Sequence, residues 1–85
     1  MHDTFLNQNL YDAITKLCDE NAMAKITQLV IIVHTHSHIN ESSIREYFGD
    51  RRSKLIGDWT NVVIEKKEIE PLTATIEQID GEKIE

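Results

Sequence analysis

The first three residues, Met1, His2 and Asp3, could bind a divalent metal ion. A free terminal amine, the backbone amide nitrogen of His2 and its imidazole can close adjacent chelate rings around one cation. Tetragonal nitrogen donors suit Ni(II) or Cu(II), and Cu(II) has the higher expected affinity. Each donor must lose a proton, so binding should weaken below the free histidine pKa of about 6.5. The alternative is a frayed terminal His2 with Asp3 as a helix N-cap.

A second metal-binding candidate is the segment His34-Thr35-His36-Ser37-His38. On a strand, these three imidazoles would share one face at a spacing of roughly 6.6 Å, so two neighbours could share one ion. A turn beginning at Ser37 would break this alternation. The alternative is a set of solvated polar side chains at the end of a strand.

Other kinds of chemistry find little support in the sequence. Cys18 is the single cysteine, so no CxxC pair can hold a structural zinc ion, and its place among apolar residues favours a buried core thiol. The three glycines, Gly49, Gly57 and Gly81, do not form a phosphate-binding loop. No serine or carboxylate spacing marks a catalytic triad or an acid–base pair. We therefore do not expect an enzyme.

The charge balance limits the partners. With 15 acidic and 9 basic residues among 85, the net charge is -6, which disfavours nucleic-acid binding. One basic group comprises Arg45, Arg51, Arg52 and Lys54, which predicts either a solvated helix end or a docking patch for an acidic partner. No apolar run is long enough to span a bilayer and no signal segment opens the chain, so we expect one cytoplasmic domain over residues 1–85.

The first element predicted to position these residues is a helix over residues 3–21. Apolar residues recur at three- and four-residue spacing, which is typical of a helix with one buried stripe. The stripe consists of Leu6, Leu10, Ile14, Leu17 and Cys18. On the polar side, Asp12 and Lys16 are spaced to form an ion pair.

The run of Ile and Val over residues 26–33 predicts a strand that is covered on both faces. The helices of so short a chain can cover one face, so the other would require another subunit or an edge loop. Asn40 is a suitable N-cap for a second helix with an apolar stripe at Ile44, Tyr47 and Phe48, and Gly49 lies at or near its end.

Two further strands are predicted near the C-terminal end. The first covers residues 61–69, with Val62 and Ile64 on one face and Trp59 at its head as a core or interface residue. After Pro71, the next strand alternates through Leu72, Ala74 and Ile76 and reaches a turn at Asp80-Gly81. The order α-β-α-β-β predicts an α+β two-layer fold: a mixed three-stranded sheet with two helices on one face, a parallel strand-helix-strand unit and an antiparallel last strand.

With this order, the chain resembles the HypA/HybF family of nickel-insertion accessory proteins for hydrogenase and urease maturation. The start Met1-His2-Asp3 is similar to the Met-His-Glu start of that family. Other similar segments are Leu17-Cys18-Asp19-Glu20, the strand over residues 26–33, Ser37-His38-Ile39-Asn40-Glu41-Ser42-Ser43-Ile44-Arg45, Phe48 and Val62-Val63-Ile64-Glu65. The similarity extends over residues 1–69.

The resemblance implies that His2 is a Ni²⁺ ligand, helped by the terminal amine of Met1 and by Asp3, and that the partner is a metalloenzyme maturation protein or an apo-enzyme. Where the family inserts a zinc ribbon with two CxxC pairs, this chain has Glu70-Pro71, so no structural zinc is expected. The family carries a glycine near the position of His34, so the resemblance does not extend to the histidine segment.

These observations favour a metallochaperone-like protein that binds nickel at its N-terminus. Two alternatives on the same fold are a homo-oligomeric adaptor, for example a homodimer joined through an uncovered sheet face, and a metal sensor that uses His34, His36 and His38. Neither nucleic acid nor membrane is an expected partner.

Overall fold

The computed structural model describes the backbone of residues 2–84 and the side chains of residues 6–84. Two helices and three strands follow one another in the expected order α-β-α-β-β, which confirms the α+β fold. The elements are α1 (His2–Glu20), β1 (Met23–His34), α2 (Glu41–Asp50), β2 (Asn61–Lys67) and β3 (Ala74–Lys83). None of the described helices has both the length and the apolar character required to cross a membrane.

Helix α1 buries the predicted stripe except for Leu17, which is half-buried. Its core residues are Leu6, Leu10, Ile14 and Cys18. The helix ends where the Asn21 N–H donates to the Leu17 carbonyl and Ala22 adopts a left-handed conformation, φ 52°. The prediction of an ion pair between Asp12 and Lys16 is wrong. In the described part of the chain, Asp12 instead accepts a hydrogen bond of 2.9 Å from the Gln8 side chain.

Strand β1 is the centre of the sheet, which has the order β2-β1-β3. Leu29, Ile31 and Val33 alternate along it and are completely buried against both helices. Val30 and Ile32, on the other face, are only half-buried. The helices therefore cover one face of β1, and among residues 6–84 nothing completely covers its second face.

Helix α2 begins where the sequence predicts. Asn40 is its N-cap: the Asn40 Oδ1 accepts from the Ser43 N–H at 2.9 Å, and the Asn40 N–H donates to the Ser43 Oγ at 3.0 Å. Ile44 and Phe48 are buried and Gly49 lies inside the last turn. The cap fixes the point at which the histidine-bearing segment joins the helix.

Strand β2 pairs with β1 in parallel, and β3 pairs with the opposite edge of β1 in antiparallel orientation. Two predictions for β3 are wrong. Leu72 lies outside the strand, with φ 62° and 66% of its surface exposed. Asp80-Gly81 is not a turn, because β3 continues through it and Gly81 lies opposite Ile26. A Cβ on Gly81 would lie 2.0 Å from the Lys25 carbonyl oxygen, so glycine serves close backbone approach here.

The sequence predicts a core or an interface residue at Trp59; the interface alternative stays a prediction, but Trp59 is not in the core. It precedes β2 and is 45% exposed. Its indole lies over Gly57, its Nε1 donates to the Leu55 carbonyl at 3.3 Å, and the Lys25 Nζ lies 4.9 Å from the ring centroid. Because Gly57 has no side chain, the ring can fold back over the loop that leads into β2.

Candidate metal centre

Of the predicted primary metal site, the structure describes only the backbone of His2 and Asp3. Met1 and the side chains of His2 and Asp3 lie outside the described residues. The backbone shows that α1 begins at His2, so Asp3 belongs to the first turn and is not the N-cap. The first four N–H groups of a helix lack an acceptor within the helix. Metal binding through the His2 amide nitrogen would therefore not break a hydrogen bond of the helix.

The histidine segment and the N-terminal part of α1 border one cavity of about 370 Å³. Its lining residues are Leu6, His34, His36, Ser37, His38, Pro71 and Leu72. Leu6 is four residues beyond His2 on the same helix, which corresponds to about 6 Å along the axis. The N-terminal part of α1 and the histidine segment therefore border the same cavity at one end of the molecule.

The three histidines do not share a strand face, because β1 ends at His34. A tight turn follows, in which the Ser37 N–H donates to the His34 carbonyl at 2.9 Å. The rings of His34 and His36 lie 5.4 Å apart at an interplanar angle of 41°. Among residues 6–84, no three His, Cys, Asp or Glu side chains form a group arranged to hold a metal ion.

His34 is held in a form that does not suit metal binding. Its Nδ1 accepts a hydrogen bond of 3.1 Å from the His36 N–H. A neutral imidazole has one N–H and one lone pair, so the proton of His34 must be on Nε2. The one lone pair is then used in the turn, and binding a metal through either nitrogen would break this hydrogen bond.

His38 is exposed on a backbone that is fixed on both sides. On one side, the Ser37 carbonyl accepts a hydrogen bond of 2.9 Å from Lys66, and the Ser37 Oγ accepts one of 3.2 Å from the Ile39 N–H. On the other side, Ile39 is completely buried and the N-cap Asn40 follows. His38 thus presents its imidazole to the cavity from a rigid support.

The basic group separates into different roles. Arg45 lies within α2, not at its end, and donates to the carbonyls of Gly57 and Thr60 at 2.9 and 2.6 Å while pairing with Glu41 at 2.8 Å. The Arg51 guanidinium lies 3.5 Å from the ring centroid of Tyr47. Arg52 and Lys54 are exposed. Arg45 thus joins α2 to the loop before β2, while Arg51 remains exposed together with Arg52 and Lys54.

Cys18 is a core thiol, as predicted, with 1% of its surface exposed. Burial and, to a smaller extent, the neighbouring Asp19 carboxylate raise the pKa of its thiol. A protonated buried thiol is a poor nucleophile and a poor metal ligand. It does not contribute to a metal centre.

Sequence reasoning missed the apolar wall of the cavity. Pro71 and Leu72 form this wall, together with Leu6 of α1. Pro71 was a visible signal for a break between strands, but nothing in the sequence indicated that the following loop returns to the histidines. Comparison with protein-family models, with curated proteins and with solved structures finds no match to this chain.

Proposed function

We propose that this chain is a metallochaperone-like protein of the cytoplasm that binds Ni²⁺ through the Met1 amine and His2, with Asp3 as an additional donor. It would pass the ion to a metalloenzyme maturation protein or an apo-enzyme. The observation that carries the proposal is the shared cavity: Leu6 of α1 and the exposed imidazoles of His36 and His38 border the same space. Leu6 follows His2 by about one helical turn, so the helix end that carries the proposed N-terminal donors borders this cavity.

The electrostatics of a helix start oppose a cation only weakly. The positive end of the helix dipole costs about 0.3–1 kcal/mol for one charge near the first turn. Nanomolar binding corresponds to about 12 kcal/mol, so this cost is a small fraction of the binding energy. An acidic residue in the first turn and a deprotonated amide nitrogen both offset it.

Delivery requires that the ion can leave. His36 and His38 are exposed, and Leu72 on the cavity wall is 66% exposed. A partner could therefore approach a bound ion at this end of the molecule and replace its ligands one at a time. This geometry supports transfer better than it supports permanent storage of a metal.

The test is a Ni²⁺ titration of untagged protein with a free amino terminus. We expect His2→Ala and acetylation of the amine each to abolish tight binding. His36→Ala is the matched control because it removes an imidazole from the same cavity. Binding that survives both N-terminal changes would refute the proposal.

A homo-oligomeric adaptor is the second candidate, because the sheet face that carries Val30, Ile32 and Val63 is not covered by either helix. Strands of 12, 7 and 10 residues, at about 3.3 Å per residue and 4.8 Å spacing, present roughly 460 Å². A standard stable interface needs about 800 Å² from each partner. We therefore expect at most a weak, concentration-dependent homodimer through this face, which light scattering after size exclusion would detect.

The metal-sensor alternative depends on His34, His36 and His38 acting together. The hydrogen bond at the His34 Nδ1 opposes this, because it occupies the one lone pair of that ring. If His2→Ala and acetylation leave metal binding intact and His36→Ala abolishes it, the metal-sensor hypothesis replaces nickel delivery.

A further inference from the structure

We propose that Arg51, Arg52 and Lys54, together the basic patch, form a docking surface for a carboxylate-rich segment of a partner protein. The three cations follow directly after α2, and all three side chains are exposed. None of them lines the histidine cavity. The proposal therefore goes beyond nickel binding and does not depend on it.

The backbone that carries the basic patch is fixed by hydrogen bonds. Arg52 has a left-handed conformation, φ 55°, and its N–H donates to the Gly49 carbonyl at 2.9 Å. The Ser53 N–H donates to the Phe48 carbonyl at 3.0 Å, and the Ser53 Oγ accepts from the Leu55 N–H at 3.3 Å. Because this turn is already ordered, a partner that binds the patch pays little conformational entropy for its backbone.

The Arg51 side chain is oriented by aromatic rings. Its guanidinium carbon lies 3.5 Å from the ring centroid of Tyr47 and 5.6 Å from that of Tyr11. Its Nη2 donates to the Gln8 Oε1 at 3.3 Å, and the Tyr47 hydroxyl donates to the same oxygen. A guanidinium that lies over a ring keeps N–H groups along its edge for a carboxylate. Arg and Tyr are also enriched among the residues that dominate binding at protein interfaces.

The alternative role for these cations is to complement the dipole of α2, because positive charge is favourable at a helix C-terminus. The contacts oppose this role for Arg51, whose hydrogen bond goes to Gln8 of α1 and not to a carbonyl at the end of α2. Among residues 6–84, the only ion pair joins Arg45 to Glu41, so the neighbouring Asp50 is not paired with the basic patch. Its three charges are free to meet an external anion.

The charge of the whole molecule favours a protein segment over a nucleic acid or an anionic membrane. The net charge is -6, so an extended polyanion that reached beyond the basic patch would be repelled by the rest of the surface. A short run of Asp and Glu residues can contact the patch alone. The planar fork of an arginine also matches the two oxygens of a carboxylate.

The experiment is a titration of the full chain with a short oligoglutamate peptide, followed by the NMR shifts of backbone amides. We expect the shifts to concentrate in residues 47–55. Arg52→Glu should weaken peptide binding at least about tenfold, because it replaces an attraction with a repulsion. Arg51→Lys keeps the charge but loses the stacked fork, and should weaken binding about threefold.

The two variants also separate docking from folding. Arg51 contacts α1, so its replacement could loosen the packing of the helices. Arg52 makes no side-chain hydrogen bond or ion pair with the described residues, so Arg52→Glu should leave thermal unfolding nearly unchanged while it abolishes docking. Wild-type peptide affinity in either variant would overturn the proposal.

Lys67→Glu is the matched control, because it makes the same change in net charge elsewhere. Lys67 lies opposite His34 at the end of β1, whereas the Leu55 carbonyl accepts from the Ile26 N–H near the start of that strand. At about 0.15 M salt the screening length is about 8 Å, so this variant should bind the peptide within about twofold of the wild type. Equal weakening by Lys67→Glu and Arg52→Glu would mean nonspecific attraction and would refute a defined docking surface.

Other occupants of the basic patch give different results. If a DNA duplex binds more tightly than the peptide at the same salt, the patch belongs to a nucleic-acid partner and the proposal is overturned. If the wild type self-associates in light scattering and Arg52→Glu does not, the occupant is a second copy of this chain, which likewise overturns it.

Discussion

Replacement of Gly81 by alanine tests the backbone approach between β1 and β3. The added Cβ would lie 2.0 Å from the Lys25 carbonyl oxygen and 2.9 Å from the Met23 sulfur. The sulfur belongs to a flexible side chain and can move, but the carbonyl is part of the strand ladder. The strands must separate by more than 1 Å to reach ordinary contact, and overpacking of this kind costs about 1–3 kcal/mol.

Gly49→Ala is the matched control. Gly49 lies inside α2, and an added Cβ has no atom within 4 Å. Because alanine is the better helix former, this change should stabilise the protein by about 0.5–1 kcal/mol. Neither glycine has a positive φ, so the two substitutions differ in contact and not in backbone strain.

Thermal and urea unfolding measure the difference. A loss of about 2 kcal/mol in Gly81→Ala should lower the Tm by about 8–16 °C for a domain of this size, while Gly49→Ala should raise it by a few degrees. An unfolding midpoint of Gly81→Ala equal to or above that of the wild type would refute the close approach of the two strands.

Three further changes test the supports of the fold and the core thiol. Arg45→Lys should lower the free energy of unfolding by about 1–3 kcal/mol, because an ammonium lacks the forked guanidinium that donates to the carbonyls of both Gly57 and Thr60. The control Arg52→Lys should leave the free energy of unfolding unchanged. Thr60→Val should cost about 1–3 kcal/mol in urea unfolding, because its buried hydroxyl donates to the Ile26 carbonyl at 2.6 Å; an unchanged midpoint would contradict this bond. Because the pKa of Cys18 is raised in the folded state, its contribution to the free energy of unfolding is complete below the unfolded thiol pKa of about 8.5 and is lost as the pH rises toward the folded pKa. In urea unfolding at increasing pH, the Cys18→Ala variant should not show this decline.

Much of the fold follows from periodicity and capping. The three- and four-residue spacing from Leu6 to Cys18 predicts α1, and Asn40 predicts the start of α2. The Ile- and Val-rich run predicts β1 as a strand, and its central place in the sheet is a finding of the structure. These signals are local, because each is carried by residues within or directly beside one helix or strand.

The errors arise where distant parts of the chain meet. Asp80-Gly81 has the composition of a turn, but its glycine is required by the Lys25 backbone across the sheet. Leu72 fits the alternation of a strand, but the loop after Pro71 places it on the cavity wall. For the histidine segment, the spacing alone could not reveal that His34 would bond to the backbone of His36.

Ile84 and the cavity lie at opposite ends of β1. The Ile84 N–H donates to the Ala22 carbonyl at 2.7 Å, which places the C-terminal end beside the start of β1. The cavity lies at the opposite end of this 12-residue strand, roughly 36 Å away. An affinity tag or fluorophore fused after the last residue would therefore stay clear of the histidines, whereas one fused before Met1 would convert the amine of the proposed metal site into an amide.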